Sequence, residues 1–165
     1  MDTLDIPEVF GHTIFCDDIR YEIGGKRSYI GVYSTTLYIH SDFPALLPKF
    51  CFDVLYSQRH EKVLLDAVKI LIFLPGDDEN PSIEGEISAD ETKRMTELAR
   101  ANSTPIDLKN QPVTVMRGTF QFSPFVIQKP GPIKVRAVRE GKLVRLGALS
   151  VMAAPKKTSD LSSVT

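Results

Sequence analysis

Two groups of acidic residues are the most conspicuous candidates for metal chemistry. Asp17, Asp18 and Glu22 lie close together in one strand-like segment, and residues 77–79 form an acidic loop. Hard cations such as Ca²⁺ need several oxygen ligands that converge from loops. Asp17 and Asp18 would point to opposite faces of a regular strand, and neither group has the spacing of a calcium loop. We therefore predict no metal site, and we expect Asp18 to form a turn hydrogen bond and to pair with Arg20 or Lys26.

The patterns that support nucleophilic or zinc-dependent catalysis are missing from the sequence. His12, His40 and His60 are far apart, and none has a Cys or His neighbour at the spacing of zinc ligands. No serine lies in a Gly-x-Ser-x-Gly motif, and there is no glycine-rich phosphate loop. We predict no catalytic residue and no cofactor. The protein is therefore expected not to be an enzyme, and a hydrolase without a recognised motif is the third alternative for its function.

A basic cluster near the C-terminus is the more informative feature. Lys134 and Arg136 would share one face of a strand, Arg145 lies on the strand that pairs with it, and Arg139 and Lys142 lie at the turn between them. These five side chains could form one positive ridge. A solvated outer face of a sheet explains such a ridge, and recognition of a protein with an acidic surface is the alternative. Nucleic acid is disfavoured, because aromatic residues do not interleave with the cations and the pI is about 6.3.

The net charge of −1 conceals an uneven distribution along the chain. Residues 1–89 contain 7 Lys/Arg and 15 Asp/Glu, and residues 90–165 contain 13 and 6. Either the charges of the two halves cancel on one folded surface, or they leave that surface with a negative side and a positive side.

Neither a secretory signal nor a membrane-spanning apolar segment is evident in the sequence. Residues 1–8 are acidic where a secretory signal needs basic and then apolar residues. The longest apolar run, Ile70–Leu74, is far shorter than the roughly 20 residues that span a bilayer. Cys16 and Cys51 lie in apolar segments, where reduced thiols behave as small hydrophobic groups. We predict a cytoplasmic protein without a disulfide and without membrane contact.

The elements that must position these residues are mainly strands. The chain has 42% hydrophobic and 25% charged residues, with 11 prolines and 10 glycines, which favours a globular domain without long helices. Most segments alternate with a period of two. The sequence predicts an all-β fold, a two-sheet antiparallel β-sandwich of the immunoglobulin-like type with one inserted α-helix near residues 89–102. A small barrel is the second possibility.

Several local features give sharper expectations. Residues 9–19 should be one strand that leads to a hairpin turn at residues 24–26, and the return strand, residues 28–33, either ends or continues through residues 37–39. Residues 49–56 should be half-buried, with Phe50, Phe52, Val54 and Tyr56 inward. A change of phase at residues 117–118 suggests a β-bulge.

The helix and the ends of the domain are also predicted. Ser88 and Glu91 fit a capping box, in which each side chain bonds the backbone amide of the other residue. We expect an N-terminal extension over residues 1–8, one domain over residues 9–152 and a disordered tail over residues 153–165. Residues 57–67 are compatible with either a helical turn or a strand.

Residues 15–33, which contain a Cys-Asp-Asp strand, a Gly-Lys turn and an Ile-Gly-Val-Tyr return, resemble the opening of an uncharacterised family of bacterial and prophage β-sandwich domains. Residues 130–142 resemble the last hairpin of immunoglobulin-like sandwiches, although Ile133 and Glu140 stand where an aromatic residue and Asp are commoner. The resemblance implies the fold and supplies no catalytic residues. It also implies a bacterial or phage origin.

We therefore predict a non-enzymatic protein-binding module that acts in phage–host conflict by binding a host protein. A structural or assembly component of a phage particle or secretion machine is the alternative. The sequence does not indicate the oligomeric state.

Overall fold

The structure, a computed structural model, describes residues 7–59, 65–102 and 113–155. These residues form twelve strands, one short 3₁₀ turn and one α-helix, which confirms the predicted all-β class with a single helix. In chain order the elements are β1 Val9–Cys16, β2 Asp18–Tyr21, a 3₁₀ turn at Ile23–Gly25, β3 Arg27–Ile30, β4 Thr36–Ile39, β5 Ala45–Leu47, β6 Phe50–Arg59, β7 Val68–Phe73, β8 Ile83–Ile87, α1 Ala89–Asn102, β9 Val113–Phe122, β10 Phe125–Ile127, β11 Gly131–Arg139 and β12 Lys142–Ala153.

Two larger sheets carry the fold. One has three antiparallel strands in the order β1-β6-β9, and the other has five strands in the order β4-β12-β11-β7-β8. Two small sheets, β2-β3 and β5-β10, complete the arrangement, and the described residues form no barrel. The all-β class is therefore confirmed, but the described residues form four sheets and not the two that were predicted.

The prediction of purely antiparallel pairing is also wrong in one place. β4 pairs with β12 in parallel, with Leu37 opposite Val151 and Ile39 opposite Ala153. A parallel neighbour needs a long connection, and the chain from β4 to β12 includes most of the domain. β4 therefore belongs to the five-stranded sheet and does not continue β3.

One hydrophobic core lies between the two larger sheets. Phe50, Phe52 and Val54 of β6 are fully buried, as are Ile133 and Val135 of β11. Phe50 and Phe125 stack with ring centroids 5.1 Å apart, while Phe50 and Phe52 meet edge to face at 5.0 Å. Packing of this kind adds about 0.5–1.5 kcal/mol per aromatic pair beyond the burial of area, so the aromatic cluster is a major support of the sheet-to-sheet contact.

β6 is buried on both faces, and the prediction that it is half-buried is wrong. Phe50, Phe52, Val54 and Tyr56 do face the core as expected. The opposite face, with Cys51 and Asp53, is also fully buried, because the β2-β3 hairpin covers it. Cys51 packs there with Cys16, Ile19 and Tyr29 in a second, smaller cluster.

The β2-β3 hairpin confirms the predicted turn and corrects the strand before it. Gly24 and Gly25 have φ of 76° and 75°, values that glycine adopts without a steric penalty. The predicted strand over residues 9–19 is interrupted at Asp17, whose amide donates to the carbonyl of Ile30 at 3.0 Å. This interruption lets β1 pair with β6 and β2 pair with β3.

Helix α1 begins as predicted, but only half of the capping box is formed. The Ser88 hydroxyl accepts a hydrogen bond from the Glu91 amide at 3.2 Å. The carboxylate of Glu91 instead accepts two hydrogen bonds from Arg94, at 2.6 and 2.9 Å. A bidentate charged pair one turn away thus replaces the reciprocal bond to the Ser88 amide.

The predicted bulge at residues 117–118 is wrong. β9 pairs with β6 in unbroken register from Phe122 to Val113. The irregularity lies instead in the C-terminal hairpin, where the register shifts between Val135 and Arg136 because β12 has one extra residue.

The predicted boundaries can be compared only where residues are described. Residues 57–59 belong to β6, residues 65–67 precede β7 without regular structure, and residues 60–64 lie outside the described part. Ala153 is the last residue of β12, and the Ala154 amide donates to the Ile39 carbonyl at 2.7 Å. The rest of the predicted tail, from residue 156, and residues 1–6 of the predicted extension are not described.

Candidate protein-binding face

Three of the five predicted basic residues come together on the outer face of the five-stranded sheet. Lys134 and Arg136 alternate along β11 and point away from the core, and both are half-buried. Arg145 of β12 lies directly opposite Arg136 and is exposed. We call Lys134, Arg136 and Arg145 the cationic face.

The other two predicted residues do not join this face in the same way. Lys142 is exposed at the hairpin end of β12. Arg139 is only 6% exposed, because its side chain projects to the opposite side of β11. Its guanidinium donates to the side-chain oxygen of Gln58 and pairs with Glu140 at 3.1 Å and with Asp66 at 3.6 Å. The assignment of Arg139 to an exposed ridge is therefore wrong.

A shallow groove runs beside the cationic face. It encloses about 370 Å³, and its walls include Pro132, Gly147 and Ala148 together with the three cations. Gly147 has φ of 142°, a conformation that favours glycine, and it lies at the bulge of β12. The absence of a large side chain at residues 147 and 148 leaves the space that forms the groove.

Arg136 is held in place by an aromatic ring. Its guanidinium carbon lies 5.0 Å from the centroid of Phe73 on the neighbouring strand β7. Phe73 is only 5% exposed although it is on the outer side of the sheet. A cation above an aromatic face is attracted by the ring quadrupole, so Arg136 is more ordered than a free surface arginine. The contact of Phe73 with Arg136 was not predicted. The segment of residues 68–74 is mainly apolar on both faces, so its sequence does not show which side chains lie on the outer side of the sheet.

The charges of this face are not neutralised within the described part of the chain. No carboxylate of residues 7–59, 65–102 or 113–155 lies within ion-pair distance of Lys134, Arg136 or Arg145. Arg136 and Arg145 instead face each other across two strands. Like charges directly opposite on a sheet destabilise the pairing, so this arrangement is unfavourable for the isolated chain.

A buried ionic cluster beneath the β2-β3 hairpin was not predicted from the sequence. The fully buried carboxylate of Asp53 accepts hydrogen bonds from Arg27 at 2.7 Å, from Thr119 at 2.8 Å and from the hydroxyl of Tyr29. Arg117 lies 3.5 Å away. Burial and the hydrogen bond to Asp53 raise the pKa of Tyr29. The cluster joins β3 to β6 and β9, and hydrogen bonds from both strands satisfy the two oxygens of the buried Asp53 carboxylate, which is the arrangement of a structural anchor.

The acidic groups at Asp17, Asp18 and Asp77 form hydrogen bonds and ion pairs within the chain, and Asp18 has the predicted Arg20 and also the unpredicted Lys49 as partners. Asp17 accepts from the Tyr33 hydroxyl, and Asp18 pairs with Lys49 and, at 3.7 Å, with Arg20. The hydrogen bond from Lys49 lowers the pKa of Asp18. Asp77 accepts from the amide of Leu74 and from Ser82, at 2.8 to 2.9 Å.

The histidine and cysteine side chains are the other candidate metal ligands. Within the described residues no group of three or more His, Cys, Asp or Glu side chains is arranged to hold a metal ion. His12 and His40 are exposed, and His60 lies outside the described residues. Cys16 and Cys51 are free, buried and paired in register across β1 and β6.

Comparison with known proteins found no matching family model, no matching curated protein and no matching solved structure. The resemblance of residues 15–33 to a prophage family therefore stays a prediction. None of the helices in the described residues has the length and apolar character needed to cross a bilayer.

Proposed function

We propose that this protein is a non-enzymatic binding module that recognises an acidic protein surface through the cationic face. The observation that carries the proposal is the cross-strand pair of Arg136 and Arg145, which has no carboxylate partner in the described chain and lies beside an open groove. An acidic partner would remove the repulsion between the two arginines. Binding would therefore gain both new ion pairs and relief of an unfavourable contact.

The residues of the cationic face and of the groove beside it favour a protein ligand over a dissolved ion. Arginine is enriched in protein interfaces, and Arg136 is pre-ordered on Phe73, which reduces the entropy that binding must overcome. The groove offers an apolar floor at Ala148 and Pro132 next to the charges. A partner with a carboxylate beside a small apolar side chain fits this combination.

The wider biological assignment is part of the proposal and rests on the sequence. A bacterial or phage origin, a cytoplasmic location and action in phage–host conflict follow from the resemblance and from the composition. A role as an assembly component of a phage particle or secretion machine stays the alternative, and an enzyme without a recognised motif stays the third.

We also propose that the topology is immunoglobulin-like. Support comes from the order β4-β12-β11-β7-β8, in which the last two strands form a hairpin at the middle of one sheet, and from the facing antiparallel sheet β1-β6-β9. Strands that follow one another in the chain, β6 and β7, lie in different sheets, as they do in such sandwiches.

The binding test uses fluorescently labelled polyglutamate as an acidic probe. In the variant Arg136→Glu with Arg145→Glu we expect affinity to fall at least about tenfold, equivalent to about 1.4 kcal/mol, with most of the loss in the association rate. The control is Lys26→Glu with Lys93→Glu, which changes net charge equally at two exposed lysines elsewhere.

The control variant should retain most of the binding, and raised salt should weaken binding to the wild type. Equal losses in the two variants would mean that only net charge matters, and would contradict a specific face. Far-UV circular dichroism of both variants checks that the fold is intact.

A further inference from the structure

The cationic face has many hydrogen-bond donors that no group of the described chain uses. Each arginine side chain carries five N–H groups, and the Lys134 ammonium carries three. None of them donates a hydrogen bond to an oxygen atom of residues 7–59, 65–102 or 113–155. The contact of Arg136 with the ring of Phe73 supplies no oxygen acceptor. The face therefore has both positive charge and free donors for an anion.

The two arginines and the lysine are placed to reach one common group. Arg136 and Arg145 are directly opposite on paired strands, which puts their Cβ atoms about 4.5–5.5 Å apart. Lys134 is two residues from Arg136 on the same side of β11, about 7 Å away along the strand. All three side chains line the groove beside the face. One anion in this groove is therefore within reach of all three cations.

The positive region is compact. On the same outer side of the sheet, β7 and β8 add one cation, Lys69, and two anions, Glu84 and Glu86. Glu84 and Arg136 are both paired with Leu71, so the acid lies about 10 Å from the arginine. Towards β4, the outward residues of the sheet carry no charge. A ligand that concentrates its charge in one group therefore gains more from this face than a long row of charges does.

A phosphoryl group matches this site better than a carboxylate. A carboxylate carries one negative charge, so one of the two facing arginines keeps an unneutralised charge. A phosphoryl group on a serine or threonine side chain has three acceptor oxygens and a charge of about −1.5 to −2 at pH 7. It can accept a bidentate pair of hydrogen bonds from each arginine and a further bond from Lys134.

We propose that the cationic face binds a phosphorylated serine or threonine side chain of its protein partner. This inference rests on the proposed function, because it names the group that the acidic partner presents. The groove of about 370 Å³ has Pro132 and Ala148 in its walls, and its volume lies at the lower end of the range for ligand pockets. Residues that flank the phosphorylated side chain can pack against these apolar walls, which a dissolved phosphate ion cannot do.

The experiment measures the binding of three labelled peptides to the full chain by fluorescence anisotropy at about pH 7.5, where phosphoserine is mostly a dianion. The peptides consist of glycine and alanine, have blocked ends, and differ only in the central residue, which is phosphoserine, glutamate or serine. The phosphoserine peptide should bind at least about tenfold more tightly than the glutamate peptide, and the serine peptide should not bind. Equal affinity for the phosphoserine and glutamate peptides would overturn the inference.

Two variants at Arg145 test the paired arginines. Arg145→Ala should lower the affinity for the phosphoserine peptide at least about tenfold, whereas Lys142→Ala, which removes an exposed charge outside the groove from the same strand, should retain most of it. Arg145→Lys keeps every charge but cannot form the two parallel hydrogen bonds of a guanidinium. It should reduce the preference for phosphoserine over glutamate several-fold. An unchanged preference, or equal losses in Arg145→Ala and Lys142→Ala, contradicts the proposal.

Other sources of a phosphoryl group are distinguished by competition. Inorganic phosphate should displace the labelled phosphoserine peptide only at a concentration at least about tenfold higher than the unlabelled peptide requires. Vesicles that contain phosphatidate should bind no more tightly than vesicles of equal charge that contain phosphatidylglycerol. Displacement by phosphate at an equal concentration, or selective binding to phosphatidate, would overturn the assignment to a protein partner.

The same variants separate this inference from the proposed function. If the preference for phosphoserine is absent but polyglutamate binding still depends on Arg136 and Arg145, the inference is wrong and the proposed function stands. If binding of neither ligand depends on these two arginines, both are wrong.

Discussion

The buried carboxylate of Asp53 allows a quantitative test of how the fold is held together. Replacing Asp53 with Ala removes the acceptor for Arg27, Tyr29 and Thr119 and the charge beside Arg117. Breaking a buried ion pair by removing one partner costs about 3–5 kcal/mol. The exposed fractions of the two arginine side chains are 21% and 35%, so water can reach them and the lower end of the range, about 3 kcal/mol, applies.

The assay is urea unfolding followed by far-UV circular dichroism, because the chain has no tryptophan. A loss of about 3 kcal/mol lowers the melting temperature by about 6–12 °C in a domain of this size. Thr119→Val, which removes only one hydroxyl of the cluster, should cost about 1 kcal/mol. The m value should stay constant if the same surface unfolds.

In Asp53→Ala the β2-β3 hairpin should be destabilised more than the larger sheets. β3 is attached to the larger sheet through Arg27 and Tyr29, so amide exchange of β2 and β3 should accelerate more than that of β6 in Asp53→Ala. If Asp53→Ala costs less than about 1 kcal/mol, the cluster is not the anchor that the geometry indicates.

The remaining predictions concern four other places in the fold. Ser88→Ala should destabilise the protein by about 0.5–1 kcal/mol in urea unfolding, because half of the capping box is present, and an unchanged midpoint would contradict the cap. Arg139→Ala should lower the free energy of unfolding by about 2 kcal/mol, because the charged hydrogen bonds of Arg139 are lost. An unchanged free energy of unfolding would contradict its buried, hydrogen-bonded position. Cys16 should resist alkylation at pH 8 in the folded protein, since burial and the neighbouring Cys51 raise its pKa to about 12, and rapid mass addition would refute this. The hydrogen bonds from Leu74 and Ser82 outweigh burial and lower the pKa of Asp77, so stability should be constant above the ordinary carboxyl range and fall as pH drops through the lowered pKa. Asp77→Asn should remove part of that fall, and an identical acid titration would contradict the assignment.

The sequence predicted individual strands better than it predicted which faces of those strands other parts of the chain cover. Alternation along residues 50–56 correctly identified the core side of β6, but the cover on Cys51 and Asp53 comes from a hairpin 20 to 30 residues earlier. No local pattern encodes that long-range contact. A signal was nevertheless present, because an acid between Phe52 and Val54 in an otherwise apolar strand indicates a buried charge that needs partners.

The basic cluster was predicted with one avoidable error. Lys134 and Arg136 have the same parity along β11, whereas Arg139 has the opposite parity, so a strict period of two places Arg139 inward. The pairing of Arg136 with Arg145 follows from the two-residue turn at Glu140 and Gly141, whereas the bulge of β12 changes the register only beyond this pair, where Lys134 lies opposite Ala148.

The central claim, that the cationic face is the binding surface, is tested most directly by amide NMR of ¹⁵N-labelled protein titrated with polyglutamate. We expect the largest amide shift changes on residues 133–136 and 145–148, and we expect these changes to vanish in the Arg136→Glu/Arg145→Glu variant. Changes that are spread evenly over exposed lysines, or that centre on the β2-β3 hairpin or α1, would contradict it.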